Sequence, residues 1–143
     1  MAQAVAIRRG RPEDIEQVLE LWTRAGATPK PTDTPEGLAR LLASSQAVLV
    51  LAEEDGRVVG TAIGGWDGWR GNIYRVAVLP EYRRRGIASG LLREVDAALA
   101  ALGAKRITVL VEQDHPCAVS FWNALERAGY RRDPTMTRYV KTF

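Results

Sequence analysis

The sequence predicts an α+β fold on a mixed sheet, and three observations carry that expectation. Short β-branched runs alternate with stretches of helical periodicity along all 143 residues. Asp55-Gly56 sits between two apolar runs, a strong hairpin signal. From Asn72 to Val111 a strand, a long helix and a second strand follow one another. That spacing is a βαβ unit, whose two strands run parallel with a right-handed crossover. No repeat, low-complexity segment or internal boundary interrupts the pattern, so residues 1–143 read as a single domain.

Each element has its own justification. Val5–Arg8 is a short first strand, and Pro12 suits the first helical position. Ile15, Val18, Leu19 and Trp22 then share one helix face. Ala27–Pro35, rich in Thr and Pro, reads as a loop, with Thr34 capping a second helix that carries Leu38, Leu41 and Leu42. Val48–Glu53 and Arg57–Ile63 are the hairpin strands. The glycine-rich Gly64–Gly71 is a connection leading to the strand Asn72–Leu79. Over Arg85–Leu102, Ile87, Leu91, Leu92, Val95, Leu99 and Leu102 form an apolar stripe that Gly103 stops. Ile107–Val111 is the next strand. Pro116 and Gly129 bracket a last helix with Val119, Phe121, Trp122 and Leu125, and Tyr130–Arg132 and Met136–Lys141 read as closing strands.

Composition narrows the function classes. Net charge is +3, which suits a polyanionic ligand as well as nucleic acid. A single cysteine, Cys117, gives no disulfide framework and no cysteine-based zinc site, and one histidine, His115, excludes multi-histidine metal centres. No apolar run reaches membrane-spanning length and no leader-like segment opens the chain, so a cytoplasmic setting is expected.

The densest information lies in Val76–Arg93. A β-branched strand ends at Pro80, and after a short turn Arg83, Arg84, Arg85 and Gly86 are expected in the first turn of the long helix. Unpaired N–H groups at a helix start carry roughly +0.5 charge, and three arginines add to it instead of offsetting it. An anion is the natural occupant. Gly86 and Ala88 are small enough to let a phosphate oxygen approach the backbone from Arg83 through Ile87 to Ser89. A solvated basic turn is the bland alternative. No glycine-rich turn follows the first strand and no Gly-Lys-Ser/Thr is present, which argues against dinucleotide and nucleoside triphosphate folds.

These residues carry a resemblance. Arg83-Arg84-Arg85-Gly86-Ile87-Ala88 after Val76-Ala77-Val78-Leu79-Pro80 resembles the acetyl-CoA signature of the GCN5-related N-acetyltransferase (GNAT) superfamily. The hairpin, the long helix, the following strand and the Ala118–Trp122 helix ending at Gly129-Tyr130 extend the likeness over nearly the whole chain, which looks closest to the small bacterial ribosomal-alanine-acetyltransferase-like branch. The resemblance implies a mostly antiparallel sheet with a splayed parallel pair, flanked by about four helices. It implies acetyl-CoA as co-substrate without a metal, the pyrophosphate on Arg83–Ser89, and the pantetheine arm against the backbone of Val76, Ala77 and Val78. An N–H of Val76 or Val78 would face the thioester oxygen.

The sequence also departs from that branch. Aligned on Ala118–Trp122, Leu110 stands at the position of its catalytic glutamate and Trp122 at that of its catalytic tyrosine. His115 replaces an asparagine that helps hold the coenzyme, and Glu112 is the nearest replacement base. Cys117 reads as a packed bystander. Trp66, Asp67 and Trp69 are expected to overhang the acceptor side, where rings beside a carboxylate suit a cationic amine, or else to pack on the core. The expected activity is direct acetyl transfer to a primary amine on a protein N-terminus, a lysine or a small molecule, by a monomer or homodimer. A catalytically weak acyl-CoA-binding module is one alternative. A nucleic-acid binder using Arg83–Arg85, Arg131 and Arg132 is another, disfavoured because no stacked-aromatic or recognition-helix pattern accompanies them.

Overall fold

The computed structural model describes residues 5–111 and 125–143. Five strands form one sheet in the order β1-β2-β3-β4-β5. They are β1 (Ala6–Arg9), β2 (Ala47–Glu54), β3 (Arg57–Trp66), β4 (Gly71–Val78) and β5 (Ile107–Val109). All neighbours are antiparallel except β4 and β5, which are parallel. This is the mixed sheet the sequence predicts. Asp55 and Gly56, both in the left-handed region, close the β2–β3 hairpin as a type I′ pair.

Helices cover both faces. α1 (Ile15–Arg24) follows a short 3₁₀ turn at Pro12–Asp14 and buries Val18, Leu21 and Trp22. α2 (Pro35–Ala43) starts at Thr34, whose hydroxyl accepts the Gly37 N–H at 3.0 Å. α3 (Ile87–Leu102) lies on the opposite face, with Ile87, Leu91, Leu92, Val95 and Leu99 buried against the sheet. Leu102, placed on that stripe by periodicity, is exposed where the helix ends. Residues 125–127 are helical, and Leu125 reaches the core; the rest of the last expected helix lies outside the described residues. No helix among the described residues is long and apolar enough to cross a membrane.

Two expectations need correction. Gly64–Trp66 continues β3 instead of forming a connection, because it pairs with β4 at Ile73, Asn72 and Gly71; at Gly64 a Cβ would come within 2.7 Å of Val95 on α3. The glycine marks close helix-on-sheet approach, not a turn. Residues 130–143 contain no strand. The Tyr130 N–H bonds Leu125 O at 2.8 Å and the Gly129 N–H bonds Glu126 O at 3.1 Å, so Tyr130 belongs to the helix-end cap. Beyond it Met136, Tyr139, Val140 and Phe143 are exposed. Their β-propensity yields no strand without a ladder to join.

Candidate functional site

The site follows from how β4 and β5 part. Their pairing covers Gly71 to Ile107, Asn72 to Thr108 and Ile73 to Val109 and stops there. Beyond that point the two strands bound a cavity of about 110 Å³, lined by Val76 and Ala77 on one side and Val109, Leu110 and Val111 on the other. A break in the β3–β4 ladder accompanies the divergence. Thr61 faces Ala77 and Ile63 faces Tyr74, so Arg75 and Val76 together oppose Ala62. Two residues against one is a β-bulge, which interrupts the ladder and turns the strand. Arg75 takes φ +52° there.

At the end of β4 the chain turns into α3. Arg83 is extended, Arg84 has φ +65° and Gly86 has φ +78°. The arginines therefore precede the helix, which starts at Ile87 and not at Arg85. A Cβ on Gly86 would meet no protein atom within 4 Å, so its conformation, not lack of space, calls for glycine. The first intrahelical bond is from the Gly90 N–H to Gly86 O, at 3.1 Å. The N–H groups of Ile87, Ala88 and Ser89 precede it, no side chain caps the helix, and no acidic residue lies in its first turn. An uncapped N-terminus of a 16-residue helix is suited to an anion.

The three arginines differ. Arg83 turns toward α1, donating from Nε to Val78 O and from Nη2 to Ala25 O, both at 3.0 Å. Arg83 is one of the residues lining the cavity, and its guanidinium supplies a cation at the C-terminus of α1. Arg85 folds back onto Glu81 O and lies over the Tyr82 ring. Arg84 is exposed. The side chains thus do not form one basic cluster, contrary to the picture of a nucleic-acid patch.

Sequence reasoning missed Arg75 and Asp33. Arg75 bonds both carboxylate oxygens of Asp33, donates to Thr28 O at 2.9 Å and lies 5.1 Å from the Trp22 ring centroid. Its carbonyl accepts the Thr61 hydroxyl, which itself accepts the Trp22 Nε1–H; both bonds are 2.9 Å. The available signal was the slip in alternation at Tyr74-Arg75-Val76, a sign of a bulge.

Leu110 does face the cavity and is 49% exposed, an aliphatic group at that wall. Glu112, His115, Cys117 and Trp122 lie outside the described residues. The Trp66–Trp69 loop sits at the other end of the strands, contrary to expectation. Trp66 packs on Gly103, and Gly71 N–H bonds Arg106 O. The Asp67 carboxylate is used within the loop, accepting the Trp69 and Arg70 N–H groups at 2.8 Å, which holds its pKa below the usual aspartate range. Arg70 occupies the Trp69 face, 4.2 Å from the centroid. Tyr130 donates to Asp96 on α3, and burial followed by that bond pushes its phenol upward. Among the described residues no group of three or more His, Cys, Asp or Glu side chains could hold a metal.

Known structures share this architecture. A predicted acetyltransferase from Clostridium acetobutylicum, solved with acetyl-CoA, superposes with a TM-score of 0.77 at 17% identity, covering 96% of each chain. AAC(6')-Iy, solved with the bisubstrate analogue CoA-S-monomethyl-acetylneamine, gives 0.77 at 17% identity over 98% of this chain and 99% of its own. The aminoglycoside 6'-N-acetyltransferase AAC(6')-IG of Acinetobacter haemolyticus gives 0.75 at 18% identity over 96% and 99%. At these identities the likeness shows the fold. Residues 14–129 match the model of the acetyltransferase (GNAT) family, the stretch from the start of α1 through the Gly86 turn to Gly129. The chain belongs to the GNAT acetyltransferase family.

Proposed function

We propose that this chain transfers an acetyl group from acetyl-CoA to a primary amine by direct attack, in the cytoplasm, as one domain over residues 1–143. One observation carries the reading: an uncapped helix N-terminus, set by Gly86, stands beside a cavity whose two bounding strands have stopped pairing. The unpaired edges suit an extended amide-bearing arm, and the turn suits a pyrophosphate. Bound there, acetyl-CoA supplies an acyl carbon activated as a thioester. The backbone of Val76, Ala77 and Val78 holds the arm, and the turn from Arg83 through Ser89 holds the phosphates. His115 is assigned a coenzyme contact on the sequence resemblance.

An N–H of Val76 or Val78 donates to the thioester oxygen, where negative charge grows as the amine attacks. A fixed donor so placed lowers the barrier by roughly 3 kcal/mol. The attacking nitrogen must shed a proton, since a free amine of lysine type has a pKa of about 10.4. Glu112 is assigned that proton, directly or through water, and solvent returns one to the departing sulfur. No covalent acyl-enzyme is required. The acceptor class remains an amine, with a protein N-terminus, a lysine and a small amine all served by the same chemistry.

Steady-state assays with acetyl-CoA and a panel of kanamycin, spermidine, N-α-acetyl-lysine amide and a peptide with a free N-terminal alanine test the reading. The expected result is transfer to at least one amine with sequential kinetics, retained by Cys117→Ala. In Glu112→Gln the rate should fall chiefly below the pKa of the acceptor amine. Ping-pong kinetics abolished by Cys117→Ala would overturn direct attack.

A further inference from the structure

The segment between α1 and α2, residues 26–34, forms a wall of the cavity through Ala27, across from Val109–Val111. Its own backbone bonds are local: Ala27 N–H to Trp22 O, Asp33 N–H to Lys30 O and Thr34 N–H to Thr32 O. From the sheet, Arg75 reaches over to it at two points, the Thr28 carbonyl and the Asp33 carboxylate. Both side chains of that ion pair are mostly buried, at 14% and 17% exposure, so solvent screens the pair only partly.

The backbone of Arg75 is held just as firmly. At φ +52° it adopts a left-handed conformation that favours glycine over a residue with a Cβ. The Thr61 hydroxyl fixes its carbonyl, and Trp22 both fixes that hydroxyl and lies beneath the guanidinium. A bulge that needed only its geometry would be served by glycine. Arginine at this position joins two parts of the site: the bulge beside Val76, and the wall at Ala27.

We propose that Arg75 is a positioning residue that straps segment 26–34 to β4 through Asp33 and so sets the acceptor side of the cavity. The inference rests on the acetyl-transfer reading given above. Arg83 ties the same helix end at Ala25 but keeps its charge open to the cavity, whereas Asp33 neutralises Arg75. The strap itself therefore carries no net charge, and its role is shape.

The bulge conformation supplies a clean test. Arg75→Gly keeps φ positive without strain and removes the strap together with the guanidinium over Trp22, leaving Asp33 the Lys30 N–H. The conservative variant Arg75→Lys keeps a cation toward Asp33, which also accepts the Lys30 N–H, so the rescue is made at position 75 alone. The measurements are hydrogen exchange of residues 26–34, coenzyme A affinity by calorimetry, and KM and kcat for the panel amine with the highest wild-type kcat/KM. Arg75→Gly should speed exchange in the segment and raise the acceptor KM, each roughly tenfold, with the coenzyme Kd within about twofold. Arg75→Lys should recover part of both. Unchanged exchange, an unchanged acceptor KM, or coenzyme affinity falling in parallel with it overturns the strap. Wild-type chain that binds no coenzyme, or transfers to no amine, overturns the acetyl-transfer reading and the strap with it.

Discussion

Two junctions in this molecule are built on arginine, and they use it in opposite ways. At the start of the sheet, Arg8 bonds both oxygens of Asp14 at 2.8 Å and Glu53 Oε2 at 2.9–3.1 Å, with Asp14 nearly fully buried. Its charge is spent on two carboxylates, and the junction only fastens β1, the 3₁₀ turn and β2. At the end of β4, Arg83 bonds two carbonyls and, among the described residues, no carboxylate, and it is one of the residues lining the cavity. The first junction is closed electrostatically, while the second leaves a positive field for an anion to use. Hydrogen-bond satisfaction alone does not separate a staple from a site; the charge of the acceptors does.

The largest effect that would sharpen this contrast is on stability at the closed junction. Arg8→Ala leaves a buried carboxylate without its partner and should cost about 3–5 kcal/mol in denaturant unfolding, with coenzyme affinity unchanged in the folded protein. Arg83→Gln should do the reverse. Its expected loss is roughly tenfold in coenzyme affinity by calorimetry, with a smaller loss of stability. If the two substitutions exchanged effects, the contrast would fail.

The pH dependence separates them further. The Arg8 guanidinium holds the Asp14 carboxyl below the usual aspartate range. A carboxyl lowered in the folded state adds stability above its unfolded pKa, and that stability is lost as pH falls from there through its folded pKa. The acid limb of wild type should therefore exceed that of Asp14→Asn by up to about 1.4 kcal/mol per pH unit. Asp96 has the opposite sign. Burial raises its carboxyl, so it costs stability as pH rises above the ordinary aspartate value, and Asp96→Asn should remove that slope. The smallest effect is at Gly90. A Cβ there would meet Ile7 at 3.8 Å, ordinary contact, so Gly90→Ala should raise stability by about 1 kcal/mol in thermal unfolding.

Much of the frame was legible because local rules and packing agree. The Asp55-Gly56 turn, the Thr34 cap and the α3 stripe each follow from a few neighbouring residues. The start of α3 at the arginine–glycine turn was legible to within two residues, although its glycine serves a backbone angle instead of a thin wall. What escaped depends on distant pairing. Gly64 belongs to a strand through its partners Val48 and Ile73, and is glycine because Val95 of α3 lies over it. Arg75 becomes part of the site only through a bulge register and a carboxylate 42 positions away. Arg83 reads as a phosphate ligand in sequence, yet its direction is set by Ala25 O on another element.

The central claim is that the turn ending in Gly86 cradles the coenzyme pyrophosphate. Thermal unfolding of wild type and Gly86→Glu, with and without acetyl-CoA, tests it most directly. At free ligand one hundred times Kd, wild type should gain about 2.7 kcal/mol. Gly86→Glu, which brings a carboxylate to the helix N-terminus, should fold and gain nothing. Equal stabilisation of both proteins, or none in wild type at millimolar coenzyme, would contradict it.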